Sequence, residues 1–314
     1  MKVALCSLLL LLSSSISAHD EADVPKTMPL DGLMSAFGWD MEGAEITTEK
    51  VSDGLYVLFG LGGNIAVTIG DDGVLIVDDQ FPQLMPKIKA AINELGGADV
   101  DIAINTHWHF DHAEGNLTLG PAGTTLVSHA NSREMMQGDH VINLVVAAYE
   151  QKAYPAEALP VITFNKDMQL YFNDQLIELL HFGPAHTTGD TAIVFRGDNA
   201  VHMGDVFNNA GFPFIDAGNG GSIEGVIEFC SQILSVINEE TIVIPGHGAI
   251  ADYGTLRAYV DMLSVVRDRI VKLVADGASL EDVYAANVTA EFDETFGDNK
   301  GFIDRAYTSL AHTH

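Results

Sequence analysis

The sequence is short of cysteine, and this shortage excludes stabilisation by disulfides. Its two cysteines are Cys6 and Cys230, and Cys6 lies within an N-terminal stretch typical of a cleaved signal peptide. A mature chain with Cys230 alone has no intrachain disulfide, so its stability must come from an apolar core or from bound metal. Cys230 itself lies in the apolar helical pattern "GVIEFCSQIL" and is expected to be a buried small side chain.

Basic residues are also scarce, and their scarcity excludes a whole class of partner. The chain has 15 Lys and Arg residues against 44 Asp and Glu residues, which gives a formal net charge of -29. Proteins that bind nucleic acid cluster Lys and Arg against the phosphates, so we expect no nucleic-acid partner. The excess of carboxylates predicts high solubility instead.

Long hydrophobic runs are absent apart from one run at the N terminus. Lys2 precedes the apolar run Val3–Leu12, and the small residues "SSSISA" then end at Ala18. This run is too short for a membrane-spanning helix, which needs about 20 apolar residues. We therefore predict a signal peptide over residues 1–18, cleavage after Ala18, a periplasmic or secreted mature chain and no stable membrane anchor.

The rest of the chain contains no linker, low-complexity segment or short-period repeat. Residues 19–50 include the loop-like stretch "VPKTMPLDG" and are interpreted as an extended N-terminal arm with little function of its own. Residues 51–314 are predicted to form one catalytic domain that ends in C-terminal helices. No feature of the sequence indicates an oligomeric state.

The hydrophobic pattern predicts two similar halves. Short β-branched runs, with a hairpin signal at Gly70–Gly73, lead to a helix over Gln83–Leu95 and another strand. The second half repeats strands and then adds helices over Ser222–Ile237 and Leu256–Ala275. We predict an α+β fold, an αββα sandwich of two mostly antiparallel or mixed sheets flanked by helices. Residues 138–160 receive no assignment.

Metal-ligand residues crowd into one short stretch, "NTHWHFDHAEGN", at Asn105–Asn116. Three histidines and one aspartate fall between His107 and His112, directly after an apolar strand pattern. Imidazoles and carboxylates are ligands that zinc prefers, at about 2.0 to 2.2 Å. Four ligands in so short a segment cannot all reach one ion, so we expect two adjacent ions.

Three further candidate ligands follow later apolar strands. They are His186 in "GPAHTTGDT", Asp205 in "HMGDVF" and His247 in "IPGHGAI". Each lies close to glycine in the sequence, where the backbone can approach an ion closely. The strands before them would hold the side chains rigidly.

The ordered set of motifs resembles the metallo-β-lactamase superfamily. The resemblance covers roughly Val51 to Tyr253 and consists of "VDD" at Val77–Asp79, the HxHxDH cluster, and then His, Asp and His at strand ends. It implies the αββα fold and a hydrolase with two zinc ions per chain. Iron is an alternative, because sites bridged by an aspartate also suit that metal.

The resemblance also implies a role for each motif residue. The implied ligands are His107, His109 and His186 for the first zinc, Asp111, His112 and His247 for the second, and Asp205 as a bridge between them. Asp78 would lie behind the ligands and orient the histidine loop. Asp111 would in addition act in catalysis, by orienting the attacking water held between the metals.

The ligand set also bears on the substrate. Lactamases of the cysteine type carry cysteine where Asp205 stands and a lysine where this chain has Asn208, so the set resembles the glyoxalase II, phosphodiesterase and lactonase branches more closely. The predicted export of the chain favours a lactam instead, because lactam drugs are met in the periplasm or outside the cell. Our best single prediction is hydrolysis of a small-molecule carbonyl substrate, a β-lactam or a related lactone or ester. The alternatives are a phosphodiesterase, a glyoxalase II-like thioesterase and a non-catalytic exported metal-binding protein.

The loop after Asp205, "VFNNAGFPFIDAGNGGS", is rich in Phe, Gly and Asn. It is interpreted as an apolar wall over the metals, and a packed crossover loop is the alternative. The candidate pocket residues are Phe207, Asn208, Phe212 and Phe214, with Ile215 beside them.

Other residues near the motifs are expected to be structural. His129, His181 and His202 are left without a role as ligands. Asn131 is a candidate cap for the helix that follows it, and Asp190 is expected to hydrogen-bond the loop that carries His186. The side chains of Trp108 and Phe110 alternate with the metal ligands and should face into packing.

Overall fold

The computed structural model describes residues 25–311, and the predicted signal peptide lies outside this range. Its strands are β1 (Thr27–Met28), β2 (Thr47–Ser52), β3 (Leu55–Phe59), β4 (Ile65–Gly70), β5 (Gly73–Val77), β6 (Ile102–Asn105), β7 (Thr125–His129), β8 (His140–Asn143), β9 (Ala148–Gln151), β10 (Ile162–Phe164), β11 (Asp167–Phe172), β12 (Gln175–Leu180), β13 (Ala192–Phe195), β14 (Ala200–His202), β15 (Ile242–Ile244) and β16 (Ala251–Asp252). Its helices are α1 (Leu30–Phe37), α2 (Met85–Glu94), α3 (Phe110–Ala113), α4 (Asn116–Ala122), α5 (Ala130–Met136), α6 (Ile223–Val236), α7 (Tyr253–Ala275), α8 (Leu280–Ala285), α9 (Asp293–Phe296) and α10 (Lys300–Ala311).

Two large sheets form the centre of the fold. One has seven strands in the order β10-β7-β6-β5-β4-β3-β2, and the other has six in the order β11-β12-β13-β14-β15-β16. Tight turns make most neighbours antiparallel, including the predicted hairpin between Gly70 and Gly73. The run β5-β6-β7-β10 is parallel, as is the pair β14-β15, because longer connections intervene. The sheets are therefore mixed.

Three apolar clusters hold the layers together. The first lies between the sheets and joins residues such as Val77 and Ile104 to Ile193 and Phe195. The other two lie on the outer faces, under α1 and α2 on one side and under α6, α7 and α10 on the other. Burial of one sheet face by helices and of the other by the second sheet gives the predicted αββα sandwich. None of the helices within residues 25–311 combines the length and the apolarity that crossing a membrane requires.

Side-chain caps set several helix starts. Asp252 accepts a hydrogen bond from the Thr255 amide, so α7 begins at Tyr253, three residues before its predicted start. Ser279 and Asp282 form the predicted capping box of α8. The cap predicted for α5 was wrong, because the imidazole of His129, and not Asn131, accepts the capping hydrogen bond.

A third, smaller sheet joins two segments that are distant in sequence. The hairpin β8-β9 lies within the unassigned residues 138–160, and β1 pairs in parallel with β9. We call these three strands the accessory sheet. The interpretation of residues 19–50 as an extended arm was wrong for its described part, because that part contains β1 and the helix α1. A two-residue strand whose partner lies 121 residues away, as Ala148 does from Thr27, leaves no local hydrophobic pattern.

Candidate metal centre

The seven predicted ligands meet where strands of both sheets end. His107 and His109 follow β6, Asp111 and His112 lie in the short helix α3, and Asp205 follows β14. The carboxyl ends of parallel strands share one edge of a sheet, which explains why these chain segments converge. Ligand atoms within 4.8 Å of one another form three groups: His107, His109 and His186; His107, His112 and Asp205; and Asp111, His112 and His247.

Asp205 lies between two sets of ligands. One of its oxygens is 3.1 Å from Nε2 of His112, and the other is 3.7 Å from Nε2 of His186. Nε2 of His247 lies 3.2 Å from both Oδ2 of Asp111 and Nε2 of His112. The first two groups share His107 and the last two share His112. Asp205, in the middle group, approaches His186 on one side and His112 and His247 on the other, which suits two neighbouring cations sharing one carboxylate.

The hydrogen bonds behind His109 and His186 define which ring nitrogens carry protons. Nε2 of His109 donates to Asp216 at 2.9 Å, and Nδ1 of His186 donates to the carbonyl oxygen of Phe214 at 2.8 Å. The unprotonated nitrogens, Nδ1 of His109 and Nε2 of His186, therefore face each other at 2.9 Å. Two lone pairs at this distance repel each other unless a cation lies beside them, so these residues fit a metal ion.

Asp78 organises the other side of the centre. Its carboxylate accepts hydrogen bonds from the amide and the hydroxyl of Thr106 and from Nδ1 of His112, all at 2.7 to 2.8 Å. Because Thr106 donates its only hydroxyl proton to Asp78, it must accept from Nδ1 of His107 at 3.0 Å. Nε2 of His107 is then a buried lone pair that no group in the described chain satisfies. An unsatisfied buried nitrogen here again fits a metal ligand.

Backbone geometry around the centre is specialised as well. Asp78 adopts a left-handed conformation with φ of 63°, which non-glycine residues rarely do and which is common at functional sites. A Cβ atom on Gly63 would lie 2.1 Å from the ring of His112, and one on Gly246 would lie 2.0 Å from Oδ1 of Asp205. Both glycines are therefore required for these ligands to occupy their positions.

The pKa shifts divide the histidines into two kinds. Burial lowers the pKa of His107 well below its usual value and also lowers the pKa of His186, so both are neutral ligands. Burial lowers the pKa of His247 too, but the carboxylates of Asp205 and Asp111 outweigh it and raise the pKa to about 10. The two carboxylates thus attract positive charge, which protons supply when no metal is bound and which a divalent ion replaces.

A cavity of about 190 Å³ opens onto Asp111, Asp205 and His247. Its apolar lining consists of Phe37, Trp39, Phe110, Ile142, Leu144 and Phe214. Asn208 completes the lining with His109, and no Lys or Arg takes part among the described residues. Trp108 is fully buried and Phe110 nearly so, which confirms that both pack inward, although Phe110 also contributes to the cavity.

Two of the predicted pocket residues lie elsewhere. Phe207 is buried against Tyr259, with ring centroids 5.0 Å apart, and Phe212 stacks on Phe302 at 5.1 Å. Both belong to the apolar cluster beneath α7 and α10, so the alternative of a packed loop applies to them and to the buried Ile215. The irregular chain after Asp205 has no period from which side-chain directions follow.

The sequence reasoning missed the residues that line the other side of the cavity. Phe37 and Trp39 come from the end of α1, and Ile142 and Leu144 come from the β8-β9 hairpin. We call these four residues the apolar wall. The cluster "FGWDM" was the only available signal for Phe37 and Trp39. Asp216 was also missed, although a lone carboxylate in the glycine-rich "FIDAGNGG" was visible.

Three further histidines of the described chain, His129, His181 and His202, have structural partners. His129 caps α5 and stacks on His181, with ring centroids 3.9 Å apart. His202 donates to the carbonyl oxygen of Asn64 and accepts from the amide of Gly204. Asp190 accepts hydrogen bonds from the amides of the loop that carries His186 and from the hydroxyl of Thr187, which confirms the prediction for it.

Comparisons with known proteins agree with this geometry. The family pattern described as "Metallo-beta-lactamase superfamily" matches residues 59–254. A probable metallo-hydrolase of Methanocaldococcus jannaschii is 26% identical over 202 residues, which are 62% of this chain and 91% of that protein. Among solved structures, DIM-1 metallo-beta-lactamase has a TM-score of 0.58 at 19% identity and covers 70% of this chain and 97% of its own. A metallo-beta-lactamase from Pontibacter korlensis has a TM-score of 0.58 at 14% identity, with 70% and 99% covered.

Proposed function

The chain belongs to the metallo-β-lactamase superfamily, and from that premise we propose that it is a dinuclear zinc hydrolase. Its proposed substrates are small molecules with a cyclic amide or ester carbonyl, a β-lactam or a related lactone. The observation that carries the proposal is a chain of three ligand groups, linked through His107 and His112 with Asp205 in the middle group, beside an open cavity. A closed structural site would not need a cavity that reaches its ligands.

Each residue has a definable part in this reaction. His107, His109 and His186 would hold one ion, Asp111, His112 and His247 the other, and Asp205 both. Bound zinc supplies a Lewis acid and lowers the pKa of a coordinated water to about 7. Because its carboxylate faces the cavity, Asp111 can also accept a hydrogen bond from the attacking water and orient it toward the carbonyl.

The outer hydrogen bonds keep the ligands in place while substrate enters. Asp78 holds Thr106 and His112 together, and Asp216 holds His109. Each bond fixes the direction of a ring lone pair, so the ligands need no reorganisation when a substrate binds. Asn208 also borders the cavity, but its amide groups bind the carbonyl of Phe212 and the amide of Ala210. Its side chain is neutral and its amide is already engaged, so it cannot supply the positive charge that would bind a substrate carboxylate.

The other hydrolase alternatives are less well supported by the cavity. Phosphodiesters and glutathione thioesters carry negative charge, and such groups are bound by Lys or Arg. No Lys or Arg lines the cavity within the described chain. We further propose a periplasmic or secreted location, on the strength of the predicted signal peptide alone.

Metal analysis combined with a substrate panel tests the proposal. Purified protein is expected to contain about two zinc ions per chain and to lose hydrolysis on chelation. A chromogenic lactam, a lactone, a thioester and a phosphodiester are then compared at equal zinc content. Fastest turnover of the lactam or the lactone supports the proposal, and fastest turnover of the phosphodiester or the thioester assigns the chain to another branch. Zinc-replete protein that is inert toward all four would support a metal-binding protein without catalysis.

A further inference from the structure

We infer that the accessory sheet and α1 act as the specificity element of this site and bind the apolar acyl part of an uncharged lactone or ester. The inference rests on the proposed hydrolase function and names its substrate class. It places the recognition surface on the two segments to which the sequence assigned no role. The apolar wall is the part of these segments that touches the substrate.

The wall is built by two segments that support each other. Glycine at position 38 adopts a left-handed conformation, with φ of 67°, and turns the chain back after α1. The amide of Trp39 then donates to the carbonyl of Met34, and the Trp39 ring lies 5.5 Å from Phe37 and 5.8 Å from Phe81. The pairing of β1 with β9 brings this turn beside the hairpin that carries Ile142 and Leu144.

The arm is also fixed to the main sandwich. Nζ of Lys87, on α2, donates to the carbonyl oxygens of Met41, Glu42 and Ala44 at 2.5 to 3.3 Å. These are the residues that immediately follow Trp39 in the chain. An ammonium group that donates hydrogen bonds to three backbone carbonyls holds the chain after Trp39 in one position. The apolar wall therefore has a fixed position over the cavity.

The charges around the cavity favour an uncharged substrate. Among the described residues, the titratable side chains in its lining are Asp111, Asp205, His109 and His247 of the metal centre, and the chain as a whole carries a net charge of -29. An anionic substituent placed against the wall would lose its hydration and gain no counter-charge, which is strongly unfavourable. The field of the whole protein would also slow the approach of anions.

The size and polarity of the cavity define the other end of the substrate. Its volume of about 190 Å³ is below the roughly 300 to 1,000 Å³ typical of sites for drug-sized ligands. A compact reacting ring beside the metals and a short alkyl chain against Trp39 and Leu144 match such a space. Each methylene buried there is expected to raise kcat/KM roughly fourfold until the wall is covered.

A series of γ-lactones with increasing alkyl chains tests the inference on the zinc-loaded full-length protein. We expect kcat/KM to rise with chain length, and lactones that carry a terminal carboxylate to be poorer substrates than their uncharged counterparts. Trp39→Ala should reduce the preference for long chains about tenfold, mainly through KM. Tyr171→Ala is the matched control, because Tyr171 is a 79% exposed aromatic residue on β11 and should leave the preference unchanged.

A charge substitution sharpens the test. Leu144→Lys places an ammonium in the wall and should shift selectivity toward the carboxylate-bearing lactone, at the expense of the alkyl lactone. A preference for the carboxylate-bearing lactone already in the parent protein, or kcat/KM that is independent of chain length, would overturn the inference while leaving the hydrolase function intact.

Binding gives a readout that does not depend on turnover. Trp108 is fully buried and Trp39 borders the cavity, so an uncharged alkyl amide should change the fluorescence of Trp39. A Trp39→Phe variant, which retains Trp108, serves as the blank. If the zinc-loaded protein binds the amide saturably but hydrolyses none of the substrates, the proposed hydrolase function is wrong. The assignment of the apolar wall as the specificity element would still be supported. If the amide causes no fluorescence change, or the same change in Trp39→Phe, the apolar wall is not the binding surface.

Discussion

The metal centre and the apolar wall face each other across one cavity and differ in burial, in polarity and in the elements that carry them. The ligands of the centre are largely buried and polar, and their rings are oriented by partners such as Asp78 and Asp216. The wall is apolar and partly exposed, with Phe37 at 40% exposure. The centre lies on strand ends of the two main sheets, whereas the wall lies on elements outside the sandwich.

This difference implies that the metal centre carries out the proposed reaction and that the apolar wall selects the substrate. Residues 59–254 match the family and contain every predicted metal ligand, but Phe37 and Trp39 lie before that region. The hydrogen bonds behind the ligands leave little freedom to change the centre without losing metal. The wall touches no ligand through a hydrogen bond, so its side chains can change with the substrate. The following experiments test this separation, beginning with the largest expected effect.

Asp78→Asn should damage the metal centre most. The carboxylate accepts three hydrogen bonds, and an amide in either orientation would turn a donor toward Thr106 or His112. Loss of such a partner typically lowers metal affinity by about 10 to 100-fold, and we expect the upper end because two ligand segments depend on it. Zinc affinity is measured by competition with a chromogenic chelator.

Asp79→Asn is the matched control for this variant. Asp79 is equally buried, and burial raises its pKa well above the usual value, which favours the uncharged carboxylic acid, a group that an amide resembles in shape and charge. Its side chain approaches Asn105 and contacts no predicted ligand. Equal losses of zinc affinity in the two variants would mean that Asp78 acts only through general packing.

Asp216→Asn should have a smaller effect, confined to one ion. Asp216 accepts one bond from His109 and two contacts from the amide of Asn219, and an asparagine can keep the first while losing part of the second. We expect about a tenfold weaker affinity for the ion held by His107, His109 and His186. Isothermal titration resolves the two binding steps, and a uniform weakening of both would contradict the assignment.

Lys87→Met should act on the wall and spare the centre. The variant removes the ammonium that binds three carbonyls of the arm, so the arm should loosen and KM for long-chain lactones should rise a few-fold. The free energy of unfolding should fall by about 1 kcal/mol. Zinc affinity should be unchanged.

Lys89→Met is the control for the arm. Lys89 lies two residues further along α2, on a different face of the helix, and approaches Asp99 at 3.6 Å. It should alter neither KM nor unfolding by a measurable amount. A loss of zinc affinity in Lys87→Met but not in this control would show that wall and centre are coupled.

His129→Asn should have the smallest effect of the set, a weaker dependence of stability on low pH. Burial lowers the pKa of His129 from 6.5, so its neutral form contributes stability that is present above pH 6.5 and is lost as pH falls through the folded-state pKa. Protonation also removes the acceptor that caps α5. Asparagine is a good cap without this titration, so urea unfolding between pH 5 and pH 8 should show a smaller loss on acidification. Identical pH profiles would exclude His129 as the origin of that loss.

Local patterns predicted much of the sandwich and its ligands. The hairpin at Gly70–Gly73, the capping box at Ser279 and the burial of Cys230 all follow from neighbours in sequence, and the structure confirms them. Metal ligands are similarly visible, because three histidines and one aspartate fall within six residues, His107 to His112, directly after a strand. Phe207 and Phe212 were misplaced because an irregular loop has no period that assigns a face.

The sequence by itself determined which residues can bind metal and which runs form strands, since both depend on residue type and local spacing. Only the tertiary structure decided what faces the metals. The pairing of β1 with β9 joins Thr27 to Ala148, and this long-range contact brings Trp39 over the cavity. Such pairing is selected by the packing of the whole chain, and no local preference of a two-residue strand encodes it.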